Sequence, residues 1–181
     1  MQDRYRQGRE TNTRLTRVAV DIERHIAAGG WDQPPRLYAL VETEDLLRRE
    51  PQLAGDLGVV AAPPGDLTPV DQGELPAHDS IDELLAGISW APEVLGTALA
   101  VERLMLPPSE EDQLPEDEGE ALRWVAGHPG RQEVRLVVAV LRDGSRAAAL
   151  RMRSHDDEHA VLSGPELVPT LADALGATLA D

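Results

Sequence analysis

"QEVRLVVAVLRDGSRAAALRMRS", residues 132–154, decides the fold. Two runs rich in Val, Leu and Ala flank Asp143-Gly144, which is the pattern of a β-hairpin. Side chains alternate along a strand, so Val134, Leu136, Val138 and Val140 share one face, and Ala148, Leu150 and Met152 share another. Loop length then fixes which residues oppose. A two-residue Asp143-Gly144 loop would set Val134, Leu136 and Val138 against Arg153, Arg151 and Ala149. A three-residue loop, Arg142-Asp143-Gly144, sets them against Met152, Leu150 and Ala148. The second register matches apolar with apolar. It also puts Gly144 at the left-handed position of a type I turn with a bulge, so a positive φ is expected there.

Working outward, "VLGTALAVERLML", residues 94–106, is apolar on both alternating faces and reads as a central strand. "RLYALV" follows Pro34-Pro35 and reads as a short buried strand. "DLTPV" gives a weak strand inside a long Pro, Gly and Asp-rich connection over residues 58–78. "AVLSG" gives a third strand after the hairpin.

The helices are spaced between these strands. Leu15, Val18, Ile22 and Ile26 recur at helical spacing, with Ala19 widening the stripe. The spacing predicts a helix over about 13–28, capped by Asn12 or Thr13 and stopped by Gly29-Gly30. Thr43 is the expected cap of a helix opening on Glu44 and Asp45. Ser80 and Glu83 form a capping-box pattern ahead of Ile81, Leu84, Leu85 and Ile88. Seven acids crowd residues 110–120, read as a solvated loop leading into a helix at 119–127 that buries Leu122 and Val125. Pro169 starts the last helix, with Leu171, Leu175 and Leu179 as its packing stripe. The expected architecture is α+β: a mainly antiparallel sheet with helices packed over it. Residues 1–11 form a loose N-terminal segment, and 12–181 one domain.

Composition narrows the function classes. The chain of 181 residues has 33 acids against 17 bases, a net charge of −16. Such a field repels phosphate backbones, so neither nucleic acid nor an anionic membrane is an expected partner; a basic protein is. All the bases are arginine, and the lack of lysine removes Schiff-base chemistry. The absence of cysteine excludes disulfides, thiol catalysis and cysteine-ligated zinc, and fits a reducing, cytoplasmic setting. There is no membrane-length apolar run and no apolar core for a signal peptide near the N-terminus. Phosphate-loop, dinucleotide and nucleophile-elbow motifs are missing, so no cofactor is expected.

Two stretches carry candidate chemistry. "SHDDEH", residues 154–159, offers His155, Asp157 and His159 as metal ligands. Its flanks are strand-like, and an extended run would hold the imidazoles roughly 13 Å apart. No glycine bends it around an ion, so a polar turn without metal is expected. The second stretch is "GWDQPPR": Trp31, Asp32 and Arg36 form either a ligand-facing corner or, as preferred, a core plug in which Trp31 packs and Asp32 caps backbone. Glu102 and Arg103 interrupt the central strand on opposite faces and do not pair with each other; either one reaches solvent or Glu102 meets an arginine of the hairpin, as a structural ion pair.

"IERHIAAGGWDQPPRLYALV", "GTALAVERLMLPP", "HPGRQEVRLVVAVLRDG" and "ALRMRSHDDEHAVLSGPELVPTLADALGATL" together resemble a family of small uncharacterised actinobacterial proteins. The resemblance runs over nearly the whole chain after the first dozen residues. It implies a bacterial cytosolic protein and no particular activity. From the residues themselves, the expected function is a non-enzymatic protein-binding role, as an adaptor, accessory or chaperone-like factor, with a second copy docking through a sheet edge or helix as one form of partner. Small acidic secretion chaperones share this profile as an analogy of fold. The alternative is a metal-dependent hydrolase or small-ligand protein using the 155–159 loop or the Trp31 corner.

Overall fold

The computed structural model describes residues 2–76, 80–165 and 167–180. The hairpin is its centre. Strand β4 (Gln132–Leu141) pairs antiparallel with β5 (Arg146–Met152), with Val134 opposite Met152, Leu136 opposite Leu150 and Val138 opposite Ala148. The three-residue loop is therefore the one formed, and Gly144 sits at φ +86°. The apolar match across the two strands selects this register, because a slip of one residue would turn every side chain to the wrong face.

Around the hairpin stand β1 (Arg36–Glu42), β2 (Leu67–Glu74), β3 (Gly96–Met105) and β6 (Leu162–Gly164). They form one six-stranded antiparallel sheet in the order β2-β1-β3-β4-β5-β6. Strand β3 is central and buried on both faces over Gly96 to Val101, which explains its unbroken apolar run.

Each face carries a core. Leu37, Leu99, Val101, Leu136, Val138 and Val140 pack against helices α4 (Ile81–Leu85) and α7 (Pro169–Ala177), which contribute Leu85, Leu171 and Leu175. On the opposite face, helix α1 (Gln2–Ala27) presses Leu15, Val18, Ala19, Ile22 and Ile26 onto Tyr38, Leu40, Ala98, Ala100, Val137, Ala139, Ala147 and Ala149. Five alanines make that second floor shallow and let the helix lie close to the strands. The result is a single α+β domain of the expected class.

Several local expectations differ from the structure. Helix α1 begins at Gln2, so residues 2–11 are part of the helix, and neither Asn12 nor Thr13 is its cap. Helix α2 (Thr43–Arg49) has Glu42 at its N-cap with no side-chain cap bond. Thr43 is buried instead, its hydroxyl hydrogen-bonded to that of Thr68 on β2. Tertiary pairing takes the hydroxyl that a local cap would have used. Helix α3 (Pro51–Asp56) follows at once, with Pro51 in its first turn. The acidic stretch contains a short helix α5 (Pro108–Glu111) before α6 (Glu118–Gly127). Helix α6 does not bury Leu122, which is 53% exposed, and Val125 is only partly covered. Asp117, an acid of that cluster, caps α6 by accepting the Glu120 N–H at 2.9 Å. Among the described residues no helix is long and apolar enough to cross a membrane.

Tyr38 illustrates how tightly the α1 face is closed. Its ring lies in the core and its buried hydroxyl has no hydrogen-bond partner. Burial, aided by the Asp71 charge, pushes the phenol up to about 12 from its ordinary 10.0. The folded state then holds the proton more tightly than the unfolded state. Stability is fully present below pH 10 and is lost as pH rises through about 12. Tyr38→Phe should therefore raise stability at neutral pH by about 1 kcal/mol, since a buried unpaired hydroxyl is removed, and should flatten the loss between pH 10 and 12. Urea melts of both proteins across that range provide the check; an unchanged alkaline limb in the variant would contradict it.

Candidate functional site: a closed arginine–carboxylate corner

The sheet face under α1 is built in rows. Ala98, Ala139 and Ala147 stand side by side on β3, β4 and β5; so do Ala100, Val137 and Ala149; so do Glu102, Arg135 and Arg151. The first two rows are apolar and seat the helix. The third sets two arginines directly opposite each other, which is repulsive unless an acid lies between them. Helix α1 supplies that acid. Glu23 lies one turn beyond Ala19 on the packed side of the helix and is 0% exposed.

The contacts close in a chain. Arg151 grips Glu23 side-on, with Nε donating to Oε1 at 2.7 Å and NH2 to Oε2 at 2.8 Å. Arg135 donates from NH1 to Glu23 Oε1 at 3.4 Å and from NH2 to Glu102 Oε1 at 3.1 Å, and also caps the Gly30 carbonyl. Glu102 Oε2 accepts the backbone N–H groups of Asp32 at 2.7 Å and Gln33 at 3.2 Å. Trp31 lies over the Arg135 guanidinium, 4.4 Å from its ring centroid, and donates its indole N–H to Asp156 at 3.0 Å. Arg153 holds both oxygens of Asp32, at 2.9 and 3.0 Å, and reaches Glu133 at 2.7 Å. Its hydrogen bonds keep the Asp32 carboxyl below the ordinary range, and the bonds that Arg151 donates to Glu23 raise the Arg151 guanidinium.

This arrangement ties three connections together: the α1–β1 loop, the end of β3 and the β5–β6 turn. Asp32 takes φ +64°, the one non-glycine residue with positive φ among those described. Its peptide N–H bonded to Glu102 and its side chain gripped by Arg153 hold it there. Chemically the corner satisfies its own charged groups. Each carboxylate in it faces an arginine or a backbone N–H, so no free base, nucleophile or anion pocket is presented.

The structure brings Trp31, Asp32 and Glu102 together, as neighbours of Arg135. Trp31 is only partly buried and stacks on a guanidinium, which differs from the expected core plug, and Asp32 binds Arg153 rather than capping backbone. Arg36 turns to the edge strand, where it pairs with Asp71 at 2.6 Å and Glu74 at 2.8 Å. The "SHDDEH" stretch is not extended: Arg153–His155 forms a single 3-10 turn. His155 Nδ1 meets Ser154 Oγ at 3.0 Å, and His159, 91% exposed, lies over Asp157, whose carboxyl is held low by the His159 backbone N–H. Among the described residues no group of three or more His, Asp or Glu side chains could hold a metal ion.

Glu23, Arg135 and Arg151 escaped the sequence reading, because the register was argued from the opposite face of the hairpin. The signal was present. Two arginines paired across apolar strands require a buried acid, and Glu23 interrupts the α1 stripe at a packed position.

Comparison with known proteins bears on the whole of this architecture rather than on the corner alone. No curated protein and no solved structure matches the chain. A family model does, over residues 15–180, which takes in the sheet, both cores and the corner. The chain belongs to the PPA1309-like protein family.

Proposed function

We propose that the protein is a non-enzymatic, protein-binding accessory factor of the cytoplasm. The observation that carries this reading is a set of exposed apolar side chains on the excursion between β1 and β2. Ala54 anchors α3 to the domain, while Leu53 within the helix and Leu57 at its C-cap stay exposed. Val60, just beyond, is 89% exposed. Uncovered apolar side chains cost solubility unless a partner covers them. The net charge of −16 favours a partner whose apolar anchor is ringed by cations. The internally satisfied corner and the solvated His155 and His159 lend less support to a metal-dependent hydrolase or small-ligand protein.

A photo-crosslinker at position 57, used in cells that make the protein, should trap one discrete partner. With that partner purified, Val60→Asp should weaken binding at least tenfold while leaving the melting temperature unchanged. Equal binding by wild type and Val60→Asp, or stoichiometric metal or small-molecule binding lost on changing Trp31, His155 or His159, would overturn the reading.

A further inference from the structure

One donor in the corner is left over. Arg135 is 1% exposed, and its Nε has no hydrogen-bond partner in the protein, although both of its NH groups are engaged. A buried N–H without a partner costs the desolvation of that group. Arg135 lines a notch of about 10 Å3, whose walls include Gln33, Pro34, Ala100 and Glu102. That is the room one water molecule needs, and it is too small for any organic ligand.

We propose that a single ordered water is bound in this notch as a fixed part of the corner. It accepts from Arg135 Nε and donates to the Glu102 carboxylate and to Gln33 Oε1. Both acceptors suit the role. Glu102 keeps lone pairs beyond those used by Arg135 and by the Asp32 and Gln33 N–H groups. Gln33 donates its Nε2 hydrogens to the carbonyls of Ile26 and Gly30, which leaves its side-chain oxygen as an acceptor. Three bonds are the usual complement of an internal water. The molecule extends the Arg135 network to the α1–β1 loop and gives the guanidinium Nε its partner.

The test is nitrogen-edited NMR of the intact protein, reading the Arg135 Nε–H proton. A rotating-frame cross-peak at the water frequency, opposite in sign to chemical exchange, is expected in the wild type. Ala100→Val fills the notch from its wall and should abolish that peak while the corner's backbone amide shifts stay close to wild type. No such peak in the wild type, or a peak that persists in Ala100→Val, would overturn the proposal.

Discussion

Glu23→Ala is expected to destabilise the fold by about 3–5 kcal/mol, as removal of one partner from a buried ion network does. The cost does not come chiefly from a lost attraction. Arg135 and Arg151 lie opposite each other on β4 and β5, 1% and 4% exposed, and Glu23 is the carboxylate that contacts both. Without it, two desolvated guanidiniums face each other beneath α1, with only part of Arg135 answered by Glu102 and part of Arg151 by Asp156 and the Asp157 carbonyl. Glu23→Gln keeps the shape and some hydrogen bonds and should cost less.

The informative comparison is Glu23→Leu combined with Arg135→Met and Arg151→Met. Replacing a whole buried network with apolar side chains of similar volume is neutral or stabilising in many proteins, because no group is left to be desolvated. The triple variant should therefore melt well above Glu23→Ala. Denaturant unfolding of the variants measures this, and a loss below about 1 kcal/mol in Glu23→Ala would show that water reaches the network freely.

The contrast between what the chain revealed and what it concealed follows the same physics. The hairpin register was legible because apolar residues had to meet apolar residues, and loop length offered only two choices. The α7 stripe and the α4 face were legible because one side of each helix is greasy and the other is not. Thr43 and Leu122 were misjudged for opposite reasons. A threonine that looks like a cap was drawn into a buried hydroxyl pair between the start of α2 and β2, a long-range event no local pattern encodes. A leucine at a helical spacing was left in water because neither core takes in a residue of α6.

The corner was half legible. Strand alternation separates Glu102 from Arg103 and leaves a hairpin arginine as one of two fates for Glu102. Its dependence on Glu23 required knowing that α1 crosses this face of β4 and β5, which only the tertiary arrangement supplies. Charged residues inside apolar strands are thus best read in rows across the sheet, since an arginine makes sense only beside the acid that neutralises it.

Gly96→Val should cost about 3 kcal/mol or more, at the upper end of what overpacking does. Gly96 opens β3 with Leu40 of β1 on one side and Leu141 of β4 on the other. A Cβ built there would overlap the Val140 carbonyl oxygen and the Leu141 side chain, and would crowd Leu141 Cα at 3.2 Å. The carbonyl belongs to the neighbouring strand's backbone, so relief requires moving the ladder itself. A flexible side chain could rotate away; a paired strand cannot without breaking its hydrogen bonds. Here that movement would also disturb the bonds from Leu95 to Leu40 and from Arg142 to Leu95, which lock the end of β3 to both neighbours. Gly55 provides the internal control. It lies in α3 with open space where its Cβ would be and without a positive φ, so Gly55→Ala should stabilise by about 0.5–1 kcal/mol by restricting the unfolded chain. Measured side by side by thermal and urea unfolding, the two substitutions should move in opposite directions. A Gly96→Val protein that melts within about 1 kcal/mol of the parent would mean that β3 and β4 separate at this end without penalty, contrary to the close approach argued here.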